Sequence, residues 1–316
     1  MRLLSSLAIL SVCVAAQPPA PSSPGDELPT FRTDARLVVL PVSVSDKSGK
    51  LLTNLSQESF KVFENGAQQP IKLFRREDVP VSLGIIVDNS GSMHDKRSKV
   101  ETAALDLVKA SNPHDEVFIV NFNDEAYLDV EFTNDSKKLE EGLARIDSRG
   151  GTALRDSISM SVDYLKQKGK KDKKVLLVVT DGNDTASTGT LEKLVDKARQ
   201  AEVLIYAIGL LSEEEKHDAK KAKRELDAIT RESGGLSFYP RELAEVDRIT
   251  QQVAHEIRNQ YTIAYSPTIQ ALDGSFRQIK VTVNGSGHPN VRTRTGYYAT
   301  PDSKQARKTS ASLLVK

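Results

Sequence analysis

VSLGIIVDNSGSM, residues 81–93, joins an apolar run to an acid and two serines. The run stops at Asp88, and Ser90 and Ser92 follow at alternate positions. A short, nearly continuous apolar run reads as a strand buried on both faces of a parallel sheet. In such sheets ligands bind beyond the C-terminal ends of strands, so an acid at this point is placed for a site. In an extended loop, residues 88, 90 and 92 can face one side. Gly91 lets the backbone turn tightly between the serines.

Two other segments belong with it. GGTAL, residues 150–154, places Thr152 after Gly150 and Gly151, and VLLVVTDGND, residues 175–184, places Asp181 at the end of a second apolar run. Asp88, Ser90, Ser92, Thr152 and Asp181 are thus candidate ligands from three loops. All offer hard oxygens, which suit Mg²⁺ or Mn²⁺ rather than zinc or copper. Helix N-capping would account for Asp88 and the serines in one loop. It does not account for Thr152 and Asp181 arriving with them.

Around these motifs, residues 80–257 alternate apolar runs with helical periodicity. The runs are VSLGIIV, VFIVNF, VLLVVT and VLIYAIG. Helices are expected near 94–110, 135–146, 153–168, 190–201 and 213–233. Leu243, Val246, Ile249, Val253 and Ile257 recur at three- and four-residue steps and mark a last amphipathic helix. This alternation predicts an α/β domain with a doubly wound, mostly parallel sheet.

The flanks have strand character. Before the α/β region, in residues 31–79, strands are expected at about 37–44, 60–64 and 69–75, with a hairpin at Asn65-Gly66. After it, in residues 258–300, QYTIAYS, FRQIKVTVN and VRTRTGYYA read as three more. Three short strands are too few for a stable domain. The expectation is one small antiparallel β domain of six strands, built from both segments, with the α/β domain inserted between its third and fourth strands.

The chain has 316 residues, 44 basic and 43 acidic side chains and no tryptophan. That charge balance offers nothing to nucleic acid, and sparse aromatics give no base-stacking platform. MRLLSSLAILSVCVAA, residues 1–16, reads as an export signal with a short basic start and small residues at its end. The protein is then periplasmic or secreted. Cys13 is the sole cysteine and lies within that signal, so a processed chain has neither disulfides nor a thiol nucleophile. The other reading of this segment is a lipid anchor at Cys13. Residues 17–30 read as a Pro/Ser-rich linker and 301–316 as a polar tail. No later apolar stretch approaches membrane-spanning length.

DNSGS, the threonine of GGTAL and the aspartate of TDGND resemble the metal-ion-dependent adhesion site (MIDAS) of von Willebrand factor A (vWA) domains, over about residues 80–257. The flanking segments, including QYTIAYSP and RTGYY, are similar to a bacterial subgroup of A-domain proteins common in acidobacteria. The resemblance implies that Ser90, Ser92 and Thr152 bind the metal directly, and that Asp88 and Asp181 bind it partly through water. It also implies a protein or matrix partner that presents an Asp or Glu.

Enzymatic readings lack their parts. A haloacid-dehalogenase-type phosphotransferase needs a second acid two residues after the first, where this chain has Ser90. NSGSM is not a G-x-S-x-G nucleophile elbow, and no P-loop or dinucleotide fingerprint is present. His94, His114, His217, His255 and His288 are scattered through polar stretches; His94 is expected as an exposed residue near the site. The sequence reading is therefore a metal-dependent binding or adhesion protein and not an enzyme. A structural component of an envelope complex is the alternative, and a metal-dependent hydrolase or phosphotransferase ranks below both.

Overall fold

A computed structural model describes residues 37–76, 78–109, 112–144, 148–211, 216–285 and 287–300. The expected export signal, Cys13, linker and polar tail lie outside these residues. The strands are β1 (Val38–Ser45), β2 (Phe60–Glu64), β3 (Ala67–Gln69), β4 (Ile71–Arg75), β5 (Val81–Asp88), β6 (Glu116–Phe122), β7 (Ala126–Thr133), β8 (Lys173–Thr180), β9 (Leu204–Gly209), β10 (Ser237–Phe238), β11 (Tyr261–Tyr265), β12 (Phe276–Val283), β13 (Asn290–Arg292) and β14 (Gly296–Tyr298). The helices are α1 (Arg97–Lys109), α2 (Ser136–Leu143), α3 (Leu154–Lys168), α4 (Leu191–Ala201), α5 (Lys216–Ser233) and α6 (Val246–Arg258).

The central sheet runs β10-β9-β8-β5-β6-β7. Every pairing is parallel except β7 on β6. All eight residues of β5 are buried, as its unbroken apolar run demands. Leu83, Ile85 and Val87 face α1, α2 and α6 on one side of the sheet. Ile86, Phe118 and Leu176 face α3, α4 and α5 on the other. Gly84 is needed in β5 because a Cβ there would lie 2.3 Å from the Phe118 ring.

The chain leaves β5 toward β6 on one side and β8 toward β9 on the other, so β5 and β8 flank the topological switch point. Loops diverge there and leave a crevice at the C-terminal strand ends. Asp88 closes β5, and Asp181 follows β8 directly.

The flanking strands form two antiparallel sheets, β13-β1-β11-β4 and β14-β12-β2-β3. β1 is held between β11 and β13, and β12 between β2 and β14, so each sheet mixes strands from both ends of the described chain. Their shared core includes Leu40, Val62, Tyr261, Ile263 and Tyr297. Phe60, Phe74 and Tyr261 pack as an aromatic triplet, with ring centroids 4.9–5.5 Å apart.

The strand count corrects the expectation of six. The segment expected as one strand over 69–75 is cut at Pro70: Gln69 pairs with Val62 in one sheet and Ile71 with Tyr265 in the other. Proline has no N–H for a ladder, which makes it a natural crossing point. VRTRTGYYA divides in the same way, into β13 and β14. β7 was not anticipated. Its residues are only partly covered, as befits a sheet edge, and carry Asp129 and Glu131 among the apolar positions.

A buried polar seam joins the α/β unit to the β domain. Glu256 of α6 accepts hydrogen bonds from Ser43 Oγ at 2.9 Å, Tyr206 OH at 2.8 Å and Arg292 Nη2 at 2.6 Å. Gln260 donates to Ser43 Oγ at 3.0 Å and to Tyr206 OH at 3.1 Å. Among the described residues no helix is long and apolar enough to cross a membrane.

Candidate metal centre

Asp88 is fully buried, and both of its oxygens are engaged. The Ser90 backbone N–H donates to Oδ1 at 2.8 Å, and the Thr180 hydroxyl donates to Oδ2 at 2.5 Å. The first bond folds the loop back on its own acid; the second ties the end of β5 to the end of β8. Burial pushes the Asp88 carboxyl up to about 6; bonds from Thr180 and Ser90 oppose this, and the nearby Asp181 charge adds to it.

Ser90 and Ser92 face each other across Gly91 with 3.2 Å between their hydroxyls. Ser92 donates to Asp181 Oδ1 at 2.8 Å. Lys96 holds the other Asp181 oxygen. Asp88, Ser90, Ser92 and Asp181 therefore form one hydrogen-bonded cluster at the switch point. Ser90 is buried, whereas Ser92 is exposed, so the cluster is open to solvent on the Ser92 side.

The loop that carries Thr152 is fixed against the Asp88 loop by its backbone. Gly91 N–H donates to Gly150 O at 3.4 Å, Arg149 N–H to Asn89 O at 3.1 Å and Ala153 N–H to Asn123 O at 2.6 Å. Thr152 N–H donates to Thr185 Oγ1 at 3.0 Å, and Thr152 O accepts from the Thr185 and Ala186 amides. Its hydroxyl backs on the Asp181 loop: a Cβ on Gly182 would lie 3.8 Å from it. Its hydroxyl makes no hydrogen bond to the other four side chains among the described residues. Gly150 has φ +74°, and a Cβ there would fall 2.0 Å from Asp124 Oδ2, so the double glycine admits Asp124 under the loop.

Several supporting residues carry no signal in sequence. Thr180 is one. Asp184 is another: it is buried and accepts from the Arg155 backbone N–H at 2.7 Å and from its guanidinium at 3.1 Å. It thereby ties the Asp181 loop to the first turn of α3. Burial acts to raise Asp184, but Arg155 and Ser187 hold it below the usual carboxylate range. TDGND shows this second acid, but nothing in the spacing separates a ligand from a loop anchor. His94 is exposed and bonds Asp95 at 2.9 Å, outside the cluster.

The donor set suits a hard cation. It combines two carboxylates, one of them raised by burial, with the Ser90 and Ser92 hydroxyls 3.2 Å apart. Among the described residues no group of three or more His, Cys, Asp or Glu side chains is placed to hold a metal ion.

Residues 83–183 match the family model for the von Willebrand factor type A domain. The chain carries a von Willebrand factor A domain. A curated relative, calcium-activated chloride channel regulator 1 of Mus musculus, is 25% identical over 166 residues, covering 49% of this chain but only 16% of that protein. Among solved structures, proximal thread matrix protein 1 from the mussel byssus is similar with a TM-score of 0.48 and 15% identity, over 61% of this chain and 49% of that one. The vWF domain of the type V pili tip protein Mfa5 from Porphyromonas gingivalis gives 0.47 and 13%, over 57% and 97%. The matched segment of the A domain holds Asp88, Ser90, Ser92, Thr152 and Asp181 together.

Proposed function

We propose that this chain is an exported binding protein whose A domain captures an exposed Asp or Glu of a protein or matrix partner through Mg²⁺ or Mn²⁺. Asp88, Ser90, Ser92, Thr152 and Asp181 would hold the ion; when bound, it supplies a positive charge that attracts the partner's carboxylate. The reading is carried by the joining of Ser90, Ser92 and Asp181 beside buried Asp88 at one strand-end crevice.

The chain's own residues set the balance of charge. Only two of the five candidate ligands are anionic, and neutral hydroxyls do not cancel the charge of a divalent ion. A small hard cation takes about six oxygens and keeps water readily, which leaves room for an outside carboxylate. The Thr180 and Ser90 bonds hold Asp88 in place, and the exposed Ser92 edge gives a partner access. Export rests on the signal-like residues 1–16.

The test is calorimetry of Mg²⁺ and Mn²⁺ binding to the full chain and to Thr152→Ala, paired with a pull-down from the native envelope fraction in Mg²⁺ and in EDTA. Saturable binding that Thr152→Ala weakens, with a partner retained only in Mg²⁺, supports the reading. Equal affinity in the variant removes Thr152 from the site, and absence of binding in the wild type overturns the metal assignment.

A further inference from the structure

The first turn of α1 carries charge of the wrong sign. A helix N-terminus presents partial positive charge and favours acids. Here the sequence from 96 to 99 is Lys-Arg-Ser-Lys, and the first turn of α1 holds no acid. Each cation has a separate reason to be there. Arg97 is buried and donates to Asn121 Oδ1 at 2.6 Å and Leu143 O at 3.0 Å. Lys99 pairs with Asp247 of α6. Lys96 pairs with Asp181, whose side chain is 1% exposed while that of Lys96 is 27% exposed.

We infer that the Lys96 ammonium is a built-in counter-ion of the cation site, and that a divalent ion competes with it for the Asp181 carboxylate. The inference rests on the cation-binding reading above. Both Asp181 oxygens are taken, one by Ser92 and one by Lys96. The Ser92 hydroxyl can turn its proton away and offer a lone pair in the same position. An ammonium has only donors and cannot become a ligand. It competes with the ion for Asp181, and its flexible, partly exposed stem lets it swing aside without backbone movement.

Lys96 therefore acts on affinity in two ways. Its ion pair with Asp181 is weakened when the ion draws on the same carboxylate, and its charge repels the ion on approach. It also stabilises the metal-free protein by neutralising a buried carboxylate whose neighbour, Asp88, carries the same charge. Lys96 tunes the site toward weak, reversible loading.

The experiment is Mn²⁺ calorimetry on the full chain after EDTA treatment and dialysis, for wild type, Lys96→Met, Lys96→Gln and Lys96→Arg, with thermal unfolding of each in EDTA. Lys96→Met and Lys96→Gln are expected to bind Mn²⁺ about tenfold tighter, the ratio that loss of one charged hydrogen bond implies, and to melt lower than wild type in EDTA. Lys96→Arg, which keeps the pair, is expected to stay near wild type on both measures. A cooperatively folded Lys96→Met or Lys96→Gln that binds Mn²⁺ no tighter than wild type overturns the inference and leaves the cation site standing. If wild type and all three variants fail to bind, the cation-binding reading falls and this inference falls with it.

Discussion

Thr180 donates its hydroxyl to Asp88 across the seam between β8 and β5, at 2.5 Å, with neither residue exposed. This bond makes the Asp88 loop and the Asp181 loop one unit, because Thr180 immediately precedes Asp181. Thr180→Val keeps the shape but leaves Asp88 Oδ2 buried without a donor. Such a loss costs about 1–3 kcal/mol, more for a charged group. Urea unfolding in EDTA should show a lower midpoint with an unchanged slope, and Mg²⁺ affinity should fall because Asp88 is no longer held. An unchanged midpoint would mean that the bond contributes nothing to the metal-free fold.

Asp88 is fully buried beside a second acid, and burial pushes its carboxyl up to about 6. Ionising a carboxyl in such a position costs stability. Asp88→Asn removes the charge and keeps an oxygen to accept the Ser90 amide. The Thr180 hydroxyl can turn to accept from the new amide. The variant is expected to melt a few degrees higher than wild type in EDTA, and to show no stabilisation when Mg²⁺ is added. Wild type should show the opposite pattern, gaining stability with Mg²⁺. A variant that melts lower in EDTA would argue that Asp88 is held for its hydrogen bonds and not tolerated for its charge.

The fold was legible where residues are covered on both faces. β5, β8 and β9 are unbroken apolar runs, and they lie side by side in the sheet. β7 was hidden because an edge strand covered on one side mixes Asp129 and Glu131 with Tyr127 and Leu128. The crossings between the two antiparallel sheets were hidden too, since strand periodicity continues through Pro70 and only hydrogen-bond pairing reveals the change of sheet. At the site, Asp88, Ser90, Ser92 and Asp181 declared themselves by their position after apolar runs. Thr180 and Lys96 did not. One looks like the last residue of a strand and the other like a solvated lysine, and both acquire their roles from partners more than 80 residues away.

Glu256 is the centre of the joint between α6 and the β domain. It accepts from Ser43, Tyr206 and Arg292, from three different strands. Glu256→Gln preserves size but sets an N–H₂ group against one of three donors and leaves Arg292 without its carboxylate. Breaking one side of a buried ion pair costs about 3–5 kcal/mol. Denaturant unfolding should show that loss. The double variant Glu256→Gln with Arg292→Met should recover part of it, because the uncompensated guanidinium is then gone. Additive losses would show that Glu256 and Arg292 act independently.

Lys173 starts β8, at the opposite end of the strand from Asp181, and donates to Ile257 O near the end of α6. Burial pushes its ammonium down to about 7; Arg258 acts in the same direction, against the pull of Asp78, Glu256 and Asp115. An unfolded lysine titrates near 10.4. Between about pH 7 and 10 the unfolded chain therefore binds more protons at this residue than the folded one, so its contribution makes stability rise with pH. Below about 7 both forms are charged and the contribution is flat at its most unfavourable value. Urea unfolding of wild type and Lys173→Met between pH 6 and 9.5 isolates this residue, because the other titrating groups are common to both. The stability of wild type relative to the variant should be flat from pH 6 to 7 and climb from there to 9.5. A constant difference across that range would mean that Lys173 keeps an ordinary lysine's proton affinity in the folded protein.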